Sequence, residues 1–186
     1  MLDALVWIDC EMTGLDVEND VLVEVAVQVT DGELRPLGAG LDVVIAADEA
    51  KLSTMNDFVR NMHTASGLLD EIRASKVTLA AAEQQVLEYV RQYVPTAGKA
   101  PIAGNSIGTD RAFLARYMPE LLGHLHYRCV DVSSVKELVK RWYPKVFHAA
   151  PAKGGNHRAL ADIWESIAEL AYYRATVFVP APGAKN

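Results

Sequence analysis

Leu5-Val6-Trp7-Ile8-Asp9-Cys10-Glu11 begins with four apolar, β-prone residues and ends on two carboxylates one residue apart. Strand side chains alternate between faces, so Asp9 and Glu11 project to one side about 7 Å apart and Cys10 projects to the other. Two acids so close are unfavourable unless a cation lies between them, and hard carboxylate oxygens suit magnesium or manganese. A strand that has simply run out into solvent fits the same spacing. The pair alone leaves both readings open.

Two more apolar runs follow this strand with no room for helices between. Residues 21–29 alternate β-branched side chains with Glu24 and Gln28, and residues 41–45 form the third run. Gly14, the 16–20 stretch and Asp31-Gly32 supply turns, so an antiparallel meander is expected. The period then changes. Leu79, Ala82, Val86, Tyr89, Val90 and Tyr93 recur at helical spacing until Pro95 and Gly98 stop the pattern. Residues 101–104 predict a short strand, 110–118 a helix, 127–132 a strand and 133–142 a helix. That order requires crossovers and therefore parallel strands. Residues 144–156, with two prolines and Gly154-Gly155, predict a mobile loop. The last helix follows, with Asn156 as N-cap and Leu160, Ile163, Trp164, Ile167 and Ala171 on one face. The expected fold is α/β, a ribonuclease H-like mixed five-stranded sheet of three antiparallel strands and then two parallel ones, with helices on both faces.

The 186 residues suit one domain over 1–180, with 181–186 a loose tail. Hydrophobic residues at 51% and charged residues at 23% exclude a disordered chain. No apolar run approaches the roughly 20 residues that span a bilayer, and Met1-Leu2-Asp3-Ala4 lacks the features of a signal peptide. A cytoplasmic protein without a membrane partner is expected. Cys10 and Cys129 are not at paired or CxxC spacing and are expected to be buried free thiols. The net charge of −6 has the wrong sign for tracking along many phosphates, so a nucleic-acid substrate would have to be short.

Three further residues bear on chemistry. Asp110 follows the turn-rich segment 104–108 at the start of a helix, where an acid either complements the helix dipole or serves as a ligand. His157 and Asp162 are five residues apart, about 500° around a helix, and so need not share a role. Asp162 falls with Glu165, Ser166 and Glu169, away from the apolar face, as an ordinary solvated acid also would. His157 adjoins a glycine-rich segment, which suits a movable acid–base group.

Asp9-Cys10-Glu11-Met12-Thr13-Gly14-Leu15, Gly104-Asn105-Ser106-Ile107-Gly108-Thr109-Asp110 and His157-Arg158-Ala159-Leu160-Ala161-Asp162-Ile163 resemble the three motifs of the DEDD exonuclease superfamily, histidine subclass. His63-Thr64-Ala65-Ser66-Gly67-Leu68 and His126-Tyr127-Arg128, with Asp131-Val132-Ser133, are similar to the oligoribonuclease family within it. The resemblance runs from about Leu5 to Pro180. It implies a 3′→5′ exoribonuclease that converts very short single-stranded RNA, especially dinucleotides, to nucleoside 5′-monophosphates. Asp9, Glu11, Asp110 and Asp162 would hold two divalent cations, Mg2+ or Mn2+, and His157 would be the general base.

The same resemblance implies that Met12 and Leu15 line the substrate site, with Leu15 wedged against the terminal bases. Ser106 would contact the far phosphate, and Tyr127 and Arg128 would come from the second subunit of a homodimer to cap the 5′ end. Leu15 as core, Ser106 as a helix N-cap, and Tyr127 and Arg128 as ordinary strand and surface positions are the alternatives. Phe58 stands where many members carry a base-stacking Trp, and it can still stack with a smaller face. His63 fits a structural histidine or a ligand contact. An exonuclease for longer RNA or DNA would share the carboxylates and lack the cap. A silent nucleic-acid-binding module would usually have lost one of the four acids or the histidine.

Overall fold

The structure, a computed structural model, describes residues 3–151, 154 and 158–179. Its centre is a five-stranded sheet of β1 (Leu5–Met12), β2 (Leu22–Thr30), β3 (Leu41–Val44), β4 (Pro101–Gly104) and β5 (His126–Asp131), in the order β3-β2-β1-β4-β5. β1 pairs antiparallel with β2 and β2 with β3, while β4 pairs parallel with β1 and with β5. Loops without helices, residues 13–21 and 31–40, join the first three strands, whereas helical crossovers precede β4 and β5 and allow their parallel pairing. This is the mixed sheet expected from the sequence.

The period-2 rule sorts β1 between two cores. Val6, Ile8 and Cys10 pack with Val86, Leu87 and Val90 of α4 (Leu79–Tyr93) and with Phe113 and Leu114 of α5 (Gly108–Tyr117). Leu121 of α6 (Pro119–His124) joins them. Trp7 faces the other way, with Val132 and Val139 of α7 (Val132–Trp142) and Ile163, Ile167 and Tyr173 of α9 (Ala159–Thr176). Asp9 and Glu11 continue the Trp7 side, toward α9. The register of α4 follows its apolar positions, and the Thr78 hydroxyl caps it by accepting from the Ala81 N–H at 3.2 Å.

Three short helices, α1 (Glu49–Leu52), α2 (Asp57–Ala65) and α3 (Leu68–Ala74), have no long apolar period to announce them. Leu52, Met55, Leu68, Leu69 and Ile72 nonetheless close a third cluster over Val23.

All nine residues of β2 are buried, Glu24 and Gln28 among them, because helices cover both faces of the sheet centre. Several expectations are corrected. The 144–156 segment starts as a helix, α8 (Pro144–His148), with its proline at the first turn, where no N–H is needed. Residues 152, 153 and 155–157 lie outside the described residues, and so does the expected cap Asn156; α9 begins at Ala159, with Arg158 before it.

On α9, Ile163 and Ile167 are buried, but Trp164 and Ala171 are exposed, and the buried edge carries Ser166, Glu169 and Tyr173 instead. Those polar groups are paired: Ser166 Oγ donates to the Asp162 carbonyl at 2.8 Å, and Glu169 accepts from Tyr173 OH at 2.9 Å and meets Lys136 Nζ at 2.8 Å. Cys10 is a buried thiol as expected, whereas Cys129 is exposed because β5 is the sheet's outer strand. Among the described residues no helix is long and apolar enough to cross a membrane.

Candidate active site

The site forms where β1 outruns its parallel neighbour. Pairing with β4 stops at Trp7 and Ala103, so the β1 backbone beyond is open on that side. The Cys10 N–H there donates to Asp110 Oδ1 at 3.0 Å, binding the first turn of α5 to the strand. Gly104 permits the approach, since a Cβ at that position would lie 3.0 Å from the Ile8 carbonyl oxygen and 2.9 Å from Ile107 Cδ1.

Asp9 and Glu11 stand on the α9 side of β1, and the first turn of α9 brings Asp162 to them. Carboxylate oxygens of Asp9, Glu11 and Asp162 all lie within 4.8 Å of one another. Asp162 is therefore not a solvated surface acid: its helix edge faces the sheet. A fourth acid, Glu24, is wholly buried directly across from Glu11 in the β1–β2 register. Sequence reasoning missed it as part of the site, although a lone acid amid valines in 22–30 was the available signal.

This crowding changes the acidity of the group. Burial, then the charges of Asp110, Asp162, Glu11 and Glu24, push Asp9 up to about 9. Glu11 rises to about 8 through burial and then Glu24, Asp162 and Asp110, with Arg158 opposing. Asp110 rises to about 7 through burial, against the N–H groups that favour its charged form. Such acids are poorly compatible with full ionisation side by side, and a divalent cation removes the conflict. The donor set fits a hard cation, because the clustered ligands are all carboxylate oxygens and burial keeps the neighbouring Cys10 thiol protonated.

His63, on the last turn of α2, is buried; its Nε2–H donates to the Met12 carbonyl at 2.8 Å, and its Nδ1 lies 4.0 Å from Glu11 Oε2. This bond fastens α2 to the end of β1. A cleft of about 400 Å³ opens next to Glu11, lined by Met12, Leu15, Phe58, Val59 and Met62. Leu15 is 76% exposed and Phe58 75% exposed, so Leu15 is not core, and two large apolar side chains stand uncovered beside the acids.

Ser106 is exposed, with a positive φ of 51°, and its N–H donates to Ser133 Oγ at 2.9 Å. It does not cap α5, since Ile107 holds that position without a side-chain bond. Tyr127 and Arg128 are exposed on β5, separated from β1 by β4, and the Arg128 guanidinium lies 5.5 Å from the Tyr127 ring centroid. His157 lies outside the described residues.

The family model described as an exonuclease, RNase T, matches residues 6–170. The fold agrees with solved exonuclease I structures. One on how processivity is achieved aligns at TM-score 0.72 and 16% identity over 92% of this chain and 41% of that one. The zinc-bound E. coli ExoI–ssDNA complex aligns at TM-score 0.74 and 17% identity, over 95% and 41%. This chain thus spans about two fifths of those structures, and the likeness is one of fold. Whole-length relatives are nearer in sequence. The oligoribonuclease of Streptomyces griseus is 64% identical over 183 residues, covering 98% of this chain and 90% of that protein. That of Rhodococcus jostii is 62% identical over 183 residues, covering 98% and 92%. The chain belongs to the RNase T exonuclease family, on its oligoribonuclease branch.

Proposed function

We propose that the enzyme shortens very short single-stranded RNA from the 3′ end, dinucleotides above all, and releases nucleoside 5′-monophosphates. The observation that carries this reading is the convergence of Asp9, Glu11 and Asp162, from a strand and a helix about 150 residues apart in sequence, beside an open apolar cleft. Relatives named oligoribonuclease at above 60% identity over nearly the whole chain support the substrate class. The net charge of −6 argues against a long polyanion as substrate.

Asp9, Glu11, Asp110 and Asp162 would hold two divalent cations, Mg2+ or Mn2+. When bound, such ions make an attacking water more acidic and stabilise negative charge on the attacking and departing oxygens. His157, placed by motif position alone, takes the proton of the water as its oxygen bonds to phosphorus. The P–O3′ bond breaks, O3′ takes up a proton from solvent so that the shortened chain ends in a 3′-hydroxyl, and the phosphate leaves on the 5′ carbon of the released nucleoside. Leu15 and Phe58, both exposed and both lining the cleft, pack on the bases, and Met12 lines the same cleft. Ser106 contacts the far phosphate, and Tyr127 and Arg128 from a second copy close the 5′ side of a homodimeric site; a bidentate guanidinium there leaves no exit for a longer strand.

A series of 5′-labelled RNAs from two to twenty nucleotides, with and without chelator, tests this. The dinucleotide should turn over fastest and chelator should stop all turnover; a 20-mer shortened as fast as the dinucleotide overturns the short-substrate reading. Sedimentation that finds a fully active monomer removes the role of Tyr127 and Arg128 from a second copy.

A further inference from the structure

Behind the acid cluster lies a second charged assembly. Glu24 is 0% exposed, and its carboxylate is shared between two parts of one segment. Its Oε1 accepts from Arg158 Nε at 2.9 Å and lies 2.9 Å from Arg158 Nη2, while its Oε2 accepts the Ala159 backbone N–H at 3.1 Å. The second bond satisfies an N–H at the start of α9 that Arg158, in the N-cap position, does not cap with its own side chain. The outer edge of the same guanidinium binds Glu71 of α3 in a fork: Nη1 to Oε1 and Nη2 to Oε2, both 2.8 Å. Asp42 Oδ2 of β3 lies 3.8 Å from Nη2. The Arg158 side chain therefore joins the buried middle of β2 to helix α3, and Glu24 ties the same site to the first residue of α9. In that same first turn the Asp162 N–H donates to the Arg158 carbonyl at 3.0 Å.

We propose that Arg158 is the positioning residue of the cation site: its fork between Glu24 and Glu71 sets the first turn of α9 and so holds Asp162 against Asp9 and Glu11. The inference rests on the reading of those three acids as cation ligands. Glu24 neighbours Glu11 across the strands, so without Arg158 a buried carboxylate would be left unpaired beside the ligands, and the helix start would lose its anchor. A fork on Glu71 together with Nε and Nη2 converging on one Glu24 oxygen demands a planar guanidinium. A lysine keeps the charge but offers a single point donor that cannot serve Glu24 and Glu71 with this geometry.

Calorimetric titration of Mn2+ into the full chain decides the matter, comparing wild type with Arg158→Lys, Glu71→Ala, Asp162→Asn and the double variant Arg158→Lys/Asp162→Asn. Arg158→Lys should weaken Mn2+ binding by about tenfold or more, the range seen when a partner of a metal ligand is removed. Glu71→Ala should weaken it less, in the same direction. The double variant should bind no more than about twofold more weakly than Asp162→Asn alone, because Arg158 acts through Asp162. Wild-type affinity in both Arg158→Lys and Glu71→Ala overturns the proposal, as do losses that add in full. Full affinity in Arg158→Lys alone would mean that charge, not the fork, is what matters, and overturns it too. Should Arg158→Lys fail to fold, Glu71→Ala decides, since that side chain is 47% exposed on a short surface helix. Wild-type affinity in Asp162→Asn identifies a different failure, that of the ligand reading itself.

Discussion

The two faces of the sheet are built on opposite terms. Toward α4, β1 and β2 offer valine, isoleucine and cysteine to the apolar positions of a long helix, and the packing is made of aliphatic and aromatic side chains. Toward α9 the same strands add to an apolar core around Trp7, Ile163 and Ile167 the acids Asp9, Glu11 and Glu24, and the helix carries Asp162, Ser166 and Glu169. One face supplies hydrophobic stability. The other gathers acids whose mutual repulsion a bound cation would relieve.

The largest effect expected from breaking this contrast is at the acids. Asp9→Ala should lose detectable turnover together with Mn2+ binding, whereas His157→Ala should lose turnover and keep most Mn2+ binding. Equal Mn2+ affinity of the two variants by calorimetry would end the assignment of distinct roles. On the other face, Leu87→Ala should cost about 2–5 kcal/mol of unfolding free energy in urea, through lost burial and a residual cavity, with kcat per folded molecule preserved.

Protonation sharpens the comparison further. Asp9, Glu11 and Asp110 have folded pKa values of about 9, 8 and 7, above the ordinary 3.8 to 4.5 of the unfolded chain. Between those limits the folded state binds more protons, so stability in chelator is greatest at low pH and declines as pH rises toward 9. Melting temperatures from pH 5 to 9 should fall in chelator and stay nearly level with Mn2+; the same slope with and without the ion would refute the cation-relief account. The smallest effect belongs to the cleft. Phe58→Ala should raise KM by the equivalent of about 1–3 kcal/mol of base stacking while leaving the melting temperature unchanged, because Phe58 packs little of its surface against the protein. A KM that does not move would show that no base rests on it.

Much of the scaffold was readable because its signals are local. The 3.6-residue period of 79–93, the three β-prone runs and the strand–helix alternation after residue 100 correspond to α4, β1 to β3 and the parallel half of the sheet. The shared orientation of Asp9 and Glu11 follows from strand periodicity alone. The buried edge of α9 was misread, since apolar spacing points to Leu160 and Trp164 while the buried stripe contains hydrogen-bonded Ser166 and Glu169. Cys129 looked buried because its neighbours are β-prone, but exposure in a sheet depends on whether a strand lies at the edge. Helix α8 is too short to show a period.

From its amino acids alone, then, this chain dictates the period of each main element and the side of β1 from which its two acids project, since both are set by backbone geometry within a few residues. Tertiary structure decides that Asp162 reaches them, that Asp110 is tied to Cys10 and that Glu24 is buried under Arg158. Those contacts join residues about 100 to 150 positions apart. They exist only once β1 lies between β2 and β4 and α9 is docked across them, and no local pattern encodes that distance.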